Sequence, residues 1–163
     1  MRLFFLATTA IVLNLGTQYT CTKKSQPNLY TWKNVQIVGG GFVSGIIFHP
    51  TEKDLRYCRT DMGGAYKWSS VSQKWEPLLD WISYEDANLM GVESIAVDPA
   101  NPQRLYLACG TYTRLSGPNA ILISDDRGKT FKKILVPFKM GGNETGRGNG
   151  ERLSVDPQNG NIL

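Results

Sequence analysis

Asp61 stands in the run Arg59-Thr60-Asp61-Met62-Gly63-Gly64-Ala65-Tyr66-Lys67-Trp68. A carboxylate so placed has the chemistry of a general base or of a turn-forming acid. It follows a strand-like run and precedes two glycines, a tight loop at a strand end, where a rigid scaffold commonly holds functional groups. An Asp before two glycines is in most proteins a turn acid, and the residues alone leave both readings open. Glu151 is the carboxylate that competes with it, but it lies just before a repeated strand. Glu93 occupies the same repeat position, which favours structure for both. The glycine run Val38-Gly39-Gly40-Gly41-Phe42-Val43-Ser44-Gly45 either lets backbone approach a ligand or makes a tight entrance to the first repeat, the second being favoured. It lacks the Gly-Lys-Ser/Thr of a phosphate loop. His49 is the single histidine, and three widely spaced cysteines match no zinc pattern, so no metal and no cofactor are expected.

The elements that must position Asp61 come from a repeat. Gly45-Ile46-Ile47-Phe48-His49-Pro50, Ser94-Ile95-Ala96-Val97-Asp98-Pro99 and Arg152-Leu153-Ser154-Val155-Asp156-Pro157 are three versions of one pattern, an apolar strand stopped by His/Asp-Pro. Tyr57 and Tyr106 follow the first two prolines by seven residues, inside the next strands, Leu55 to Thr60 and Leu105 to Gly110. Third strands are expected at 65–68 and 120–123, and fourth strands around Trp75 and Phe131. Four strands per repeat predict an all-β protein of four-stranded antiparallel β-propeller blades, with a β-sandwich as the alternative. The third copy predicts a strand in which the chain stops. No stretch shows helical periodicity. His49 takes the place of Asp98 and Asp156 and reads as a turn residue. Cys58 and Cys109 read as buried thiols, with a disulfide between them left open.

Ser124-Asp125-Asp126-Arg127-Gly128-Lys129-Thr130-Phe131 fits the pattern Ser-x-Asp-x-Gly-x-Thr-aromatic and resembles the Asp box of sialidase-like propellers. Such a motif is a folding device between third and fourth strands, so Asp126 is assigned no catalytic role. A broader resemblance runs through Phe48-His49-Pro50, the Asp61 motif, Trp75-Glu76-Pro77-Leu78, Asn88-Leu89-Met90-Gly91-Val92, Pro137-Phe138-Lys139 and Gly146-Arg147-Gly148-Asn149-Gly150-Glu151-Arg152-Leu153. Together these make residues 30–163 similar to the start of glycoside hydrolase family 74. The resemblance implies a seven-bladed N-terminal propeller of a two-propeller enzyme that cleaves the β-1,4-glucan backbone of xyloglucan with inversion. It implies Asp61 as the general base and a second Asp beyond Leu163 as the acid. Trp81, Tyr84 and Tyr112 then become candidate sugar-stacking platforms, and Asn88, Asn143 and Arg147 candidate partners of sugar hydroxyls; each equally suits a core or loop role. The rival reading is a non-catalytic Asp-box propeller that binds a glycan or protein.

Composition sets the outer bounds. With 163 residues, 41% hydrophobic and 20% charged, the chain has the make-up of a globular protein. Its formal charge of +4 is scattered, with no basic stripe, so nucleic acid is not an expected partner. Met1-Arg2 followed by the apolar run Leu3 to Leu15 reads as an export signal over residues 1–21, too short to span a membrane, with Cys21 a candidate lipidation site. Residues 22–163 then form about two blades and the start of a third, an extracytoplasmic and monomeric piece of a propeller. Two blades cannot close the circle, so the piece alone is expected to be marginal and inactive.

Overall fold

Successive side chains leave a strand on opposite faces, so a strand that is apolar throughout must be covered on both sides. Leu105 to Cys109 is such a strand, with all five residues buried. The computed structural model describes residues 31, 33, 34, 36–114 and 116–163. The readings placed on residues 1–21, including Cys21, lie outside these. Asn34–Leu163 forms one unit.

Its first sheet is built from β1 (Val43–Phe48), β2 (Arg56–Thr60), β3 (Ala65–Ser69) and β4 (Lys74–Pro77). The second contains β5 (Val92–Val97), β6 (Leu105–Cys109), β7 (Ala120–Ser124) and β8 (Lys132–Leu135). Both are antiparallel and run in simple sequence order, the meander of a propeller blade. Each first strand carries a bulge at the same repeat position, at Ser44 against β2 and at Glu93 against β6. The fourth strand of the second blade starts just after Phe131, which packs against the core instead. A 3-10 helix, Tyr84–Met90, crosses between the blades, an element that no helical periodicity announced because seven residues are too few to carry one.

Alternation assigns the faces. Leu105, Leu107 and Cys109 join Tyr57, Val92 and Ile95 in the core between the two blades. Tyr106 faces the other way, with Ala96, Val155 and Leu153. Cys58 packs with Tyr66 and Trp75 on the far side of the first blade. Both cysteines are free thiols, which removes the disulfide, and burial pushes the Cys58 thiol up to about 12 and Cys109 higher still.

The repeat's turn is reproduced three times. The amides of His49, Asp98 and Asp156 donate to the carbonyls of Leu55, Arg104 and Ile162, six residues on in each copy. Asp98 Oδ1 accepts from Ala100 N–H and Asn101 N–H; His49 Nδ1 does the same for Thr51 and Glu52. Imidazole thus substitutes for carboxylate, and the proton left on Nε2 is donated across the blades to Asp98 O at 2.9 Å. His49→Ala in the full-length gene product should therefore cost about 1–3 kcal/mol, the penalty for stranding buried polar partners. Urea midpoints measure it, with His49→Asp intermediate because it restores the turn but not the crossing bond. A midpoint equal to wild type would contradict the reading.

One expectation needs correction. Residues 152–157 form no strand, and only the bridge Asp156↔Asn159 is present there. A strand is fixed by a backbone ladder, and among the described residues no segment supplies one; instead Arg152 N–H and Leu153 N–H both donate to the Ser94 hydroxyl. Nor does the chain stop in a strand, since 159–163 belong to the turn.

The Ser124–Phe131 segment joins β7 to β8. Asp126 Oδ1 accepts from the Lys129 and Thr130 amides and the Ser124 hydroxyl, and Oδ2 from the Thr130 hydroxyl at 2.6 Å. These bonds, Thr130's first, hold the Asp126 carboxyl down to about 2. A depressed folded-state pKa gives stability that is present above the unfolded value, about 3.9, and lost as pH falls through the folded one. Asp126→Asn should unfold at lower urea than wild type at pH 6, and the gap should close between about pH 4 and pH 2. A gap independent of pH would refute this account.

Candidate active site

Asp61 sits at the end of β2, where the loop to β3 is wound tightly by its own groups. Thr60 N–H and its hydroxyl both donate to Gly64 O, and the hydroxyl oxygen accepts from Gly63 N–H. Gly64 has φ of 85°, which favours glycine. At Gly63 a Cβ would lie 1.7 Å from Gly40 O. The two glycine runs therefore interlock backbone to backbone, which supports the structural reading of residues 38–45.

That interlock brings Phe42 onto Asp61. Asp61 N–H donates to Phe42 O at 3.1 Å, and Phe42 N–H donates back to Asp61 Oδ1 at 2.8 Å. The residue is 5% exposed. Its other oxygen, Oδ2, lies 3.5 Å from Arg147 Nε. Arg147 comes from the loop before the third copy, and its guanidinium lies over the Phe42 ring, 5.7 Å from the centroid.

Four further candidates gather beside this pair. Asn143 Nδ2 donates to the Tyr112 hydroxyl at 2.6 Å and lies 3.9 Å from Met62 Sδ, next to Asp61. Tyr112 N–H donates to Asn88 Oδ1, and Asn88 Nδ2 to Pro118 O. Tyr84, 92% exposed, lines a recess of about 480 Å³ with Met62, Asn88 and Tyr112. A second recess of about 370 Å³ is lined by Tyr112, Asn143, Arg147, Arg114 and Glu144. Thr113's hydroxyl and amide hold the Glu144 carboxyl below its ordinary range. Two open recesses with an aromatic face, amides and mixed charges beside a buried carboxylate suit a polyhydroxylated ligand. Trp81 does not join them: its indole N–H donates to Leu78 O and its ring stacks on Phe131 at 6.2 Å.

Arg59 was not singled out by sequence, and it organises the site. It is 0% exposed. Its Nε donates to Glu151 Oε1 at 2.7 Å, Nη1 to the Ser44 hydroxyl at 2.8 Å and to Arg147 O at 3.2 Å, and Nη2 to Gly150 O at 3.0 Å. Glu151 Oε2 in turn accepts from the Ser94 hydroxyl and Ile95 N–H. Glu93 accepts from Gly141 N–H and pairs with Arg152. Both glutamates are thus committed to holding segments together, as their repeat position predicts. A charge set inside Tyr57-Cys58-Arg59-Thr60 was the signal for Arg59.

A scan against family models finds no match. Among curated proteins the chain is 51% identical over 153 residues to an oligoxyloglucan-reducing end-specific xyloglucanase of Emericella nidulans, covering 94% of this chain and 19% of that protein. A xyloglucanase of a Paenibacillus species is 48% identical over 167 residues, 98% of this chain and 16% of the relative. Among solved structures, the GH74 xyloglucanase of Xanthomonas campestris matches with a TM-score of 0.73 and 54% identity, over 80% of this chain and 19% of that one. Over this span the chain belongs to glycoside hydrolase family 74. A family 74 enzyme of Niastella koreensis is similar to the same degree, with a TM-score of 0.70 and 53% identity. The family 74 match identifies the two sheets as propeller blades. The chain spans about a fifth or less of the length of these relatives.

Proposed function

We propose that the protein is an exported glycoside hydrolase that cleaves the β-1,4-glucan backbone of xyloglucan with inversion, and that Asp61 is its general base. The observation that carries the reading is the pairing of about 50% identity to xyloglucanases with a buried, hydrogen-bonded carboxylate beside two polar, aromatic-lined recesses. In this reading Asp61 Oδ2 takes a proton from a water that attacks the anomeric carbon, while a second carboxylic acid protonates the departing glycosidic oxygen. An inverting pair stands about 6.5–9.5 Å apart. Glu151 is engaged by Arg59 and Ser94, Glu93 by Gly141 and Arg152, and Glu144 by Thr113; the acid is assigned, as the resemblance to family 74 implies, to a part of the protein outside the described residues.

Release of reducing ends from xyloglucan against unbranched cellulose, by the full-length gene product, tests substrate and reaction together. The first anomer seen by proton NMR should be α if attack inverts the β bond. Tight xyloglucan binding with no release of reducing ends would replace the enzyme with a glycan-binding propeller.

A further inference from the structure

Arg147 entered as a candidate for sugar hydroxyls, and its surroundings argue for a different duty. Three contacts close a ring. Phe42 binds Asp61 Oδ1 through its amide at 2.8 Å, Arg147 covers the Phe42 ring, and Arg147 Nε lies 3.5 Å from Asp61 Oδ2. Nε is buried and has no hydrogen-bond partner. A buried N–H left unpaired is costly, and it is kept where the surrounding structure imposes it. Here the imposing group is Arg59, which grips the Arg147 carbonyl from two residues upstream of Asp61 itself. The strand that carries the carboxylate thereby also places the carboxylate's counter-charge.

We infer that Arg147 is a positioning residue for Asp61: its guanidinium fixes the rotation of the carboxylate and leaves Oδ2 charged and without a strong hydrogen bond, free to take a proton. Distance supports this over a simple structural ion pair. At 3.5 Å the contact is beyond the 2.7–2.9 Å of a charge-assisted hydrogen bond. A full bond there would occupy the lone pair that a general base must offer. A cation held at this remove orients the carboxylate through space while leaving that lone pair open. The cation–π contact with Phe42, 5.7 Å to the ring centroid, explains how the cation is held back, since a guanidinium held over a ring face resists sliding further toward the acid.

The inference rests on Asp61 as base, and the test separates the two. In the full-length gene product, Arg147→Gln should lower kcat on xyloglucan about tenfold with KM within about twofold, because an interaction made for the transition state is lost. Arg147→Lys, which keeps the charge but loses the planar group that lies over Phe42, should recover only part of that kcat. The double variant Asp61→Asn/Arg147→Gln should be no slower than Asp61→Asn alone, since a residue that acts through another has nothing left to position. If KM rises with kcat unchanged, if Lys is as poor as Gln, or if the two losses multiply, the proposal is overturned. Should the Gln variant fail to fold, the Lys variant decides by its kcat. Near-normal turnover by Asp61→Asn alone would instead remove the base assignment, a separate failure.

Discussion

Asp61→Asn in the full-length gene product is expected to turn xyloglucan over at least about 10²-fold more slowly, the scale on which general-base catalysis operates. The amide is close to isosteric, and its oxygen can still accept the Phe42 N–H that Asp61 Oδ1 accepts at 2.8 Å. The Thr60–Gly64 turn does not use the Asp61 side chain at all. What is lost is the charge and the proton-accepting oxygen beside Arg147. The arginine is 40% exposed at its side chain, so release of this ion pair should cost little, about 0.2–1 kcal/mol. The expected signature is therefore lost kcat, retained xyloglucan affinity on substrate-containing native gels, and a nearly unchanged unfolding midpoint. A variant within about fivefold of wild-type turnover could not have lost its general base.

The fold was legible because its punctuation is local. Pro50, Pro99 and Pro157 stop three segments in the same way, and the residue before each one caps its own turn, so the repeat shows through even where His49 replaces Asp. Asp61's place was legible for the same reason, since Thr60, Gly63 and Gly64 build its loop within a few residues. Partners chosen over long separations were not. Arg59 meets Glu151 across 92 positions, and Arg147 meets Asp61 across 86, and nothing local in either pair names the other. Aromatic residues failed for a related reason. Trp81 and Tyr112 both follow a strand in a polar loop, yet one stacks on Phe131 while staying half exposed and the other lines a recess, because the neighbouring blade decides what each ring meets. The third copy's strand is absent among the described residues, since an apolar run supplies the side chains of a strand but not the ladder that defines it.

Arg59→Met is expected to be the most damaging single change to stability, costing about 3–5 kcal/mol, because it removes one partner of a buried charge pair and leaves the other's requirements unmet. Glu151 would keep the Ser94 hydroxyl and Ile95 N–H but lose the cation, while Arg147 O and Gly150 O would lose their donors. Lysine should not substitute well, since one ammonium cannot reach Glu151, Ser44, Arg147 and Gly150 with the fixed fork that a guanidinium offers. The pair is also mechanically central: it ties β2 to the bulge at Ser44 and to the loop that carries Arg147. Urea unfolding of the full-length protein measures the cost, and a Met variant within about 1 kcal/mol of wild type would sink the assignment. The double variant Arg59→Met/Glu151→Met separates charge from scaffolding. If unpaired charge is the main penalty, removing both groups restores most of the stability while kcat stays low, because Arg147 has lost the grip on its backbone. If the hydrogen bonds to residues 147–150 dominate, the double variant is as unstable as the single one.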